Sequence, residues 1–296
     1  MSLNLSTPLQ FARHTIGAAV RGRVAGENAE EVGRHIWTDP GPRWFARGTA
    51  IHVLHQDASM FVGGIRSLLM QSLHPSAMAG VAGHSGYKSD PWGRLQRTST
   101  YIAMTTYGPI DQAEALIEKV RGIHERVRGK TFDGRPYAAS DPHLLRWVHL
   151  AEIDSFLCAY EKYGAQPADL AFRNEYVAQT GLVAAKLGVI DPPKTYAELQ
   201  QGLQMYRPEL LGTTLARDAA KFLLLNPPLP IPARPGYGML AAGAVSTMPG
   251  WARRELGLPR VPVLDRVVGD ALGLAATKTI RWAMVPPGVR AAAAAA

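Results

Sequence analysis

Residues 88–108, KSDPWGRLQRTSTYIAMTTYG, read as one delimited helix. Asp90 stands where an N-cap is expected, Pro91 fits the first helical position, and Gly108 falls where a left-handed C-cap residue would sit. The interior is unusual. Positions three and four apart share a helix face, so Arg94, Arg97, Thr98, Tyr101 and Thr105 form a polar stripe beside apolar Leu95, Ile102 and Ala103. A stripe of this kind needs polar partners, from other side chains, from solvent or from a ligand.

The same punctuation recurs along the chain. Asp111 with Glu114 suggests a capping box closed by Gly129, and Asp141-Pro142 opens a segment reaching Gly164. Pro167 opens one that runs to Gly188, and Thr195 with Glu198 starts another. No sustained period-two alternation and no Asn-Gly hairpin signal appears, so the chain reads as all-α. The expected organisation is an N-terminal segment (1–40), a single multi-helix body (41–225), a proline-rich loop NPPLPIPARPG (226–236), and helices within 237–290. These last helices, near 238–248, 249–257 and 263–283, have too little core of their own and are expected to pack back on the body. The first ten residues are expected to lack order, and the AAAAAA tail (291–296) is set aside as carrying no function.

Composition narrows the function classes. The 296 residues carry 32 Lys and Arg against 24 Asp and Glu, a formal charge of +8. Such a balance favours anionic ligands or surfaces. The basic clusters at 121–135 and after Arg253 do not interleave with aromatics, so no nucleic-acid partner is expected. A single cysteine, Cys158, excludes an internal disulfide and any multi-cysteine metal site within one chain, and fits a reducing, cytoplasmic compartment. No secretory h-region and no run of eighteen apolar residues appears. The longest apolar patch, at 239–248, leaves room for peripheral contact with a membrane surface, or for burial in the core.

Histidines fall on apolar faces. In DQAEALIEKVRGIHERVRG, Ala113, Leu116, Ile117, Val120, Ile123 and Val127 form a buried stripe that contains His124. An inward imidazole needs hydrogen bonds or a metal at its nitrogens. His149 shares a face with Leu145, Glu152 and Phe156, with Glu152 one turn away as an orienting acceptor. His74 and His84 flank HPSAMAGVAGH, whose small residues admit a close backbone or a flat ligand. His52 and His55 lack the glutamate of a zincin helix, and neither a phosphate loop nor a nucleophile elbow is present.

Taken together, LLMQSLHPSAMAGVAGHSGYKSDPWGRLQRTSTYIAMTTYG, VRGIHERVRG, GRPYAASDPHLLRWVHLAEIDSFL and YAELQQGLQMYRPEL resemble the oxygenase family joining the fungal MpaB enzymes to the bacterial latex-clearing proteins, or rubber oxygenases. The resemblance covers roughly residues 40–225. It implies a globin-like all-α domain that holds haem b through one histidine and uses dioxygen to cleave a carbon–carbon double bond in an apolar, isoprenoid-like substrate. Carried over, the axial and metal-binding histidine is His124, and the arginine and threonine near the haem are Arg94 and Thr98. Arg97 stands where rubber oxygenases carry a lysine. His149 and His74 are further candidate cofactor contacts. Rubber oxygenases place a glutamate base upstream of the Arg-Thr helix, but no carboxylate lies between Asp57 and Asp90 here, leaving His84 or His74 as stand-ins. The stripe then has a purpose: cations for propionates and donors for a polar distal ligand. Two other readings use the same place. One is a non-catalytic haem- or lipid-binding protein whose haem takes His124 and a second histidine such as His84 or His149. The other is a non-haem metal site built from His74, His84, His124 and His149.

Overall fold

The structure, a computed structural model, describes residues 8–26, 29–259 and 264–284. Of the ten N-terminal residues expected to lack order, 1–7 lie outside these, as does the alanine tail, whereas Pro8, Leu9 and Gln10 form the first turn of a helix. The chain is all-α, with a small hairpin as its sheet. In order the helices are α1 (Pro8–Ala25), α2 (Ala29–Thr38), α3 (Ala50–His55), α4 (Ser59–Gln71), α5 (Pro75–His84), α6 (Pro91–Tyr107) and α7 (Ile110–Arg126). Strands β1 (Arg128–Lys130) and β2 (Pro136–Ala138) follow. Then come α8 (Pro142–Tyr163), α9 (Leu170–Leu187), α10 (Tyr196–Tyr206), α11 (Thr214–Leu225), α12 (Arg234–Thr247), α13 (Gly250–Glu255) and α14 (Leu264–Met284).

The core is organised around α8, which buries Trp147, Leu150, Ala151, Ile153, Phe156, Leu157, Tyr160 and Tyr163. A helix apolar nearly all round belongs inside, and α8 has α4, α9, α10 and α14 packed about it. Its ends are as the sequence predicts. Asp141 caps it by accepting from the His143 amide at 2.9 Å, and the chain leaves it at Gly164. Helix α4 packs tightly on α8 at Gly63, where a Cβ would stand 2.7 Å from Phe156 Cδ1 and 3.1 Å from its Cα. At that level lies a buried ion pair absent from the sequence reading. Arg66 Nη1 meets Asp154 Oδ2 at 2.8 Å and donates to Ser155 Oγ at 2.7 Å, and Gln200 donates to Asp154 Oδ1 at 3.0 Å.

The C-terminal helices pack onto this body. Helices α12 and α14 meet at facing glycines: a Cβ on Gly243 would lie 2.7 Å from the Gly273 Cα. Tyr163 of α8 shares a hydrogen bond with Ser246 Oγ at 2.9 Å, and Arg281 of α14 pairs with Asp57 at 2.8 Å. The apolar patch at 239–248 is thereby spent. Leu240, Ala241, Gly243, Ala244, Ser246 and Met248 are buried, so the membrane contact sketched for this stretch gives way to core packing. Among the described residues no helix is long and apolar enough to cross a membrane.

Several local expectations need correction. Gly108 ends α6 with φ −78° and ψ 169°, not left-handed; glycine is required there because a Cβ would stand 2.8 Å from the Met104 carbonyl oxygen. Helix α7 starts one residue before Asp111, behind Pro109, with no side-chain cap, and Glu114 reaches instead to Lys186 Nζ at 2.6 Å. Gly129 sits in β1 opposite Tyr137, and α9 is capped by Asp169, downstream of Pro167. The hairpin escaped detection because three-residue strands carry too few positions for a period to show.

Candidate functional site

Helices α6 and α7 form an antiparallel hairpin turned at Gly108-Pro109. Residues equally far from the turn stand at the same level, which sets Arg94 beside the level of His124. Asp90 fixes the start of α6 by accepting from the Gly93 amide at 2.9 Å. Along α7 the buried stripe is Ala113 and Ile117, with Leu116, Val120, His124 and Val127 half-buried, so His124 points inward as its spacing predicts. Ile123, expected within the buried stripe, is instead exposed. Leu95 is 37% exposed, Ile123 at the matching level of α7 is 43% exposed, and Thr98 is exposed between them.

On α6, α7 and α8, polar groups are buried without partners. His124 Nδ1 and Tyr101 Oη on α6–α7, and His149 Nε2 and Arg146 Nε on α8, are each cut off from solvent and make no hydrogen bond. Arg94 donates through Nη1 to Ser85 Oγ at 3.1 Å and has no carboxylate partner among the described residues. Glu152, one turn beyond His149, has no hydrogen bond or ion pair either. The expected His149–Glu152 contact is therefore not made. An unsatisfied buried polar group costs about 1–3 kcal/mol, so the four atoms on Tyr101, His124, Arg146 and His149 would offset much of a domain's net stability. Polar atoms left without partners on α6, α7 and α8 mark these helices as the candidate place for a group that the chain itself does not provide.

Burial sets their protonation. It lowers His124, and lowers His149 to about 4 with Arg146 adding to the effect. It raises the Tyr101 hydroxyl, to which Glu152 adds, and pushes the Glu152 carboxyl up to about 7. For Arg94, burial and then Arg97 lower the pKa. The histidines here are neutral, with one nitrogen free to accept or to ligate.

Other predicted residues stand elsewhere. Arg97 is exposed and pairs with Asp90 at 3.1 Å, because the helix turns it to the capped, solvent side. Thr98 lies at the mouth and His84 is exposed at the end of α5. Thr105 of the stripe is consumed by its own helix, donating to the Tyr101 carbonyl at 2.8 Å. The small residues of α5 admit a ring from this chain: a Cβ on Gly80 would meet the Tyr137 ring at 3.4 Å. His74 caps α5, its Nδ1 accepting from the Ser76 amide at 3.2 Å. It joins His143 and Glu209, the one group of three metal-type donors found close together among the described residues. The four-histidine set His74, His84, His124 and His149 is thus not assembled. In the His74 cluster His143 and Glu209 form a hydrogen-bonded pair, and His74 Nε2 stands by without a hydrogen bond of its own. An accepting Nδ1 leaves the proton of the neutral ring on Nε2, which faces Glu209 Oε2 at 3.4 Å, while His143 Nε2 stands 2.9 Å from the same oxygen.

Arg146 and Tyr101 were the groups the sequence undervalued. The available signal was an arginine three residues before an inward histidine in an apolar helix. Two clefts elsewhere have defined volumes, about 700 Å³ over Arg66, Asp154 and Trp251, and about 600 Å³ by Trp37, Arg43 and His52. Neither is lined by His124, His149 or Glu152. Asp154 is two residues from Glu152, about 200° around the helix, so α8 separates the larger cleft from the His124 side.

Residues 51–282 match the family described as ER-bound oxygenase mpaB/B'/Rubber oxygenase, catalytic domain. The chain belongs to this family. The match extends past residue 225 through most of α14, so the C-terminal helices fall within the span of the MpaB/rubber oxygenase catalytic domain. No curated protein and no solved structure gives a further match. Within this oxygenase family, the residues that fit a flat, dianionic, iron-bearing cofactor are His124 as an inward imidazole and Arg94 and Arg146 as cations without carboxylates. Tyr101 and His149 add unused polar atoms, whereas Arg97 and His84 face solvent and do not fit.

A pH dependence of stability follows. His149, and His55 at about 3 through burial and its neighbour His52, have folded pKa values below the unfolded value of 6.5. Their contribution is complete above pH 6.5 and is lost as pH falls toward 3–4. Glu152 has the opposite sign: its pKa of about 7 exceeds the unfolded 4.5, so stability is lost as pH rises from 4.5 through 7. Urea unfolding is expected to show Glu152→Gln more stable than wild type at pH 8 by on the order of 2–3 kcal/mol, with the gap closing near pH 4.5. An equal gap at both pH values would contradict the assignment.

Proposed function

We propose that the protein is a haem-dependent oxygenase that acts on an apolar, isoprenoid-like small molecule in the space between α6, α7 and α8. The observation that supports this reading is the set of buried polar atoms without hydrogen bonds on α6, α7 and α8, with Arg94 and Arg146 lacking a carboxylate partner, in a chain of this oxygenase family. His124 would be the residue that holds the haem iron. Its Nδ1 is shut off from solvent, which leaves Nε2 as the nitrogen to bind iron. Arg94 and Arg146 would hold the propionates, each supplying a charge without a carboxylate partner in the protein. When bound, haem would supply the dioxygen chemistry for cleavage of a carbon–carbon double bond. Tyr101 donates from α6 and His149 borders the same space from α8. Leu95 and Ile123 at the mouth give an apolar chain a path inward while the body excludes water behind it.

The test of turnover is dioxygen uptake by the haem-loaded protein supplied with a short polyisoprenoid alkene. Uptake matched by new carbonyl groups, two for each double bond cleaved, is the expected result. Haem loading without uptake or carbonyl formation on such alkenes would contradict the oxygenase reading and favour a haem-binding role without turnover.

A further inference from the structure

Other inward-facing carboxylates have a cation beside them: Asp57 has Arg281, Asp154 has Arg66, and Glu161 has Arg173. Glu152 has none. It sits in the middle of the central helix, where a structural residue would be apolar, and yet its side chain retains partial access to open space. The groups that face it come from two neighbouring helices, Tyr101 of α6 and Tyr176 of α9, and His149 stands one turn before it on α8. Tyr176 Oη is occupied by His55 Nε2 at 3.1 Å, whose Nδ1 is 2.8 Å from Thr106 Oγ1. The Arg66 guanidinium of α4 and the Gln200 amide of α10 turn to Asp154 on the far side of α8. The carboxyl therefore has hydroxyl company and no charge partner.

We propose that Glu152 is the proton-carrying residue of this site, a carboxyl group that presents a proton to the ligand space between α6, α7 and α8 and takes it back. In its acid form the Oε–H donates to a polar ligand atom in that space; in its ionised form the carboxylate accepts, and the proton is exchanged with water through the mouth at Thr98. No other bond is made or broken in the step. Carboxyl groups kept protonated by an apolar site near neutral pH are suited to this work, and burial with no cation holds Glu152 there. The ligand-space part of this inference rests on the haem reading above; the exchangeable proton on Glu152 does not.

Infrared difference spectra between pH 5.5 and 8.5, recorded on the chain without haem, test the proton directly. A protonated-carboxyl band that disappears with a midpoint near pH 7 in wild type and is missing from Glu152→Gln is expected. Identical difference spectra in the two proteins would overturn the proposal. Should Glu152→Gln fail to fold, Glu152→Leu, which keeps an apolar side chain of similar size, serves in its place. The placement is read from the C–O stretch of the ferrous carbon monoxide adduct of the haem-loaded protein. A stretch that moves with the same midpoint in wild type and is flat with pH in the variant is expected. A stretch flat in both would remove Glu152 from the ligand side. If haem does not load, the carboxyl band still decides whether Glu152 exchanges its proton, and only the haem reading falls.

Discussion

Replacing Asp154 by alanine is expected to cost about 3–5 kcal/mol of unfolding free energy, the range for removing one partner of a buried ion pair. Arg66 is 2% exposed and Asp154 6%, and the substitution would leave the guanidinium with Ser155 Oγ and a long contact to the Thr247 carbonyl. A charge stranded in that position keeps only those contacts and the water that the adjoining cleft admits, since the α4–α8 contact at Gly63 has no slack to let the side chain move out. The paired replacement Arg66→Met with Asp154→Leu should recover most of the loss, because removing both charges also removes the desolvation penalty. Urea denaturation of wild type, single and double variants measures this. A single variant within about 1 kcal/mol of wild type would mean that the pair is open to water.

The second large effect belongs to His124. His124→Ala is expected to reduce haem retention to the level of non-specific binding, while the far-ultraviolet circular dichroism stays that of the wild type. The side chain lies near the end of α7, is half-buried, and its buried Nδ1 makes no hydrogen bond, so its removal costs the fold little. Exogenous imidazole should restore part of the haem binding in His124→Gly, as the ring would re-enter the space it vacated. Full haem retention in His124→Ala would sink the assignment of the proximal ligand.

Much of this was legible before any coordinates. The all-α class followed from capping residues, and Asp90, Asp141 and Thr195 cap the helices they were expected to cap because an Asp or Thr at those positions satisfies otherwise orphaned amides. His124 and His149 face inward because helical spacing fixes the side of a helix on which a residue lies. Period alone could not tell whether the partner of a polar stripe is solvent, protein or ligand. Arg97 and Thr98 share the stripe with Arg94 and Tyr101 but sit nearer its solvent edge, so only the second two are enclosed. The Arg66–Asp154 pair joins residues far apart in sequence, and no local pattern marks it. His74 looked like a cofactor contact because a histidine before a proline gives no sign that its ring will cap the helix it precedes. Glu152 was visible only as an acceptor for His149; its isolation is a tertiary property, set by what α6 and α9 do not place beside it.

The most direct measurement is the ultraviolet–visible spectrum of the protein purified from cells given ample haem, taken before and after dithionite and carbon monoxide. The account predicts a Soret band at about one haem per chain that shifts on adding carbon monoxide, as a single proximal histidine with an exchangeable opposite position requires. A Soret band indifferent to carbon monoxide would contradict the oxygenase mechanism, and no Soret band, even after titration with haemin, would contradict the haem site at His124 itself.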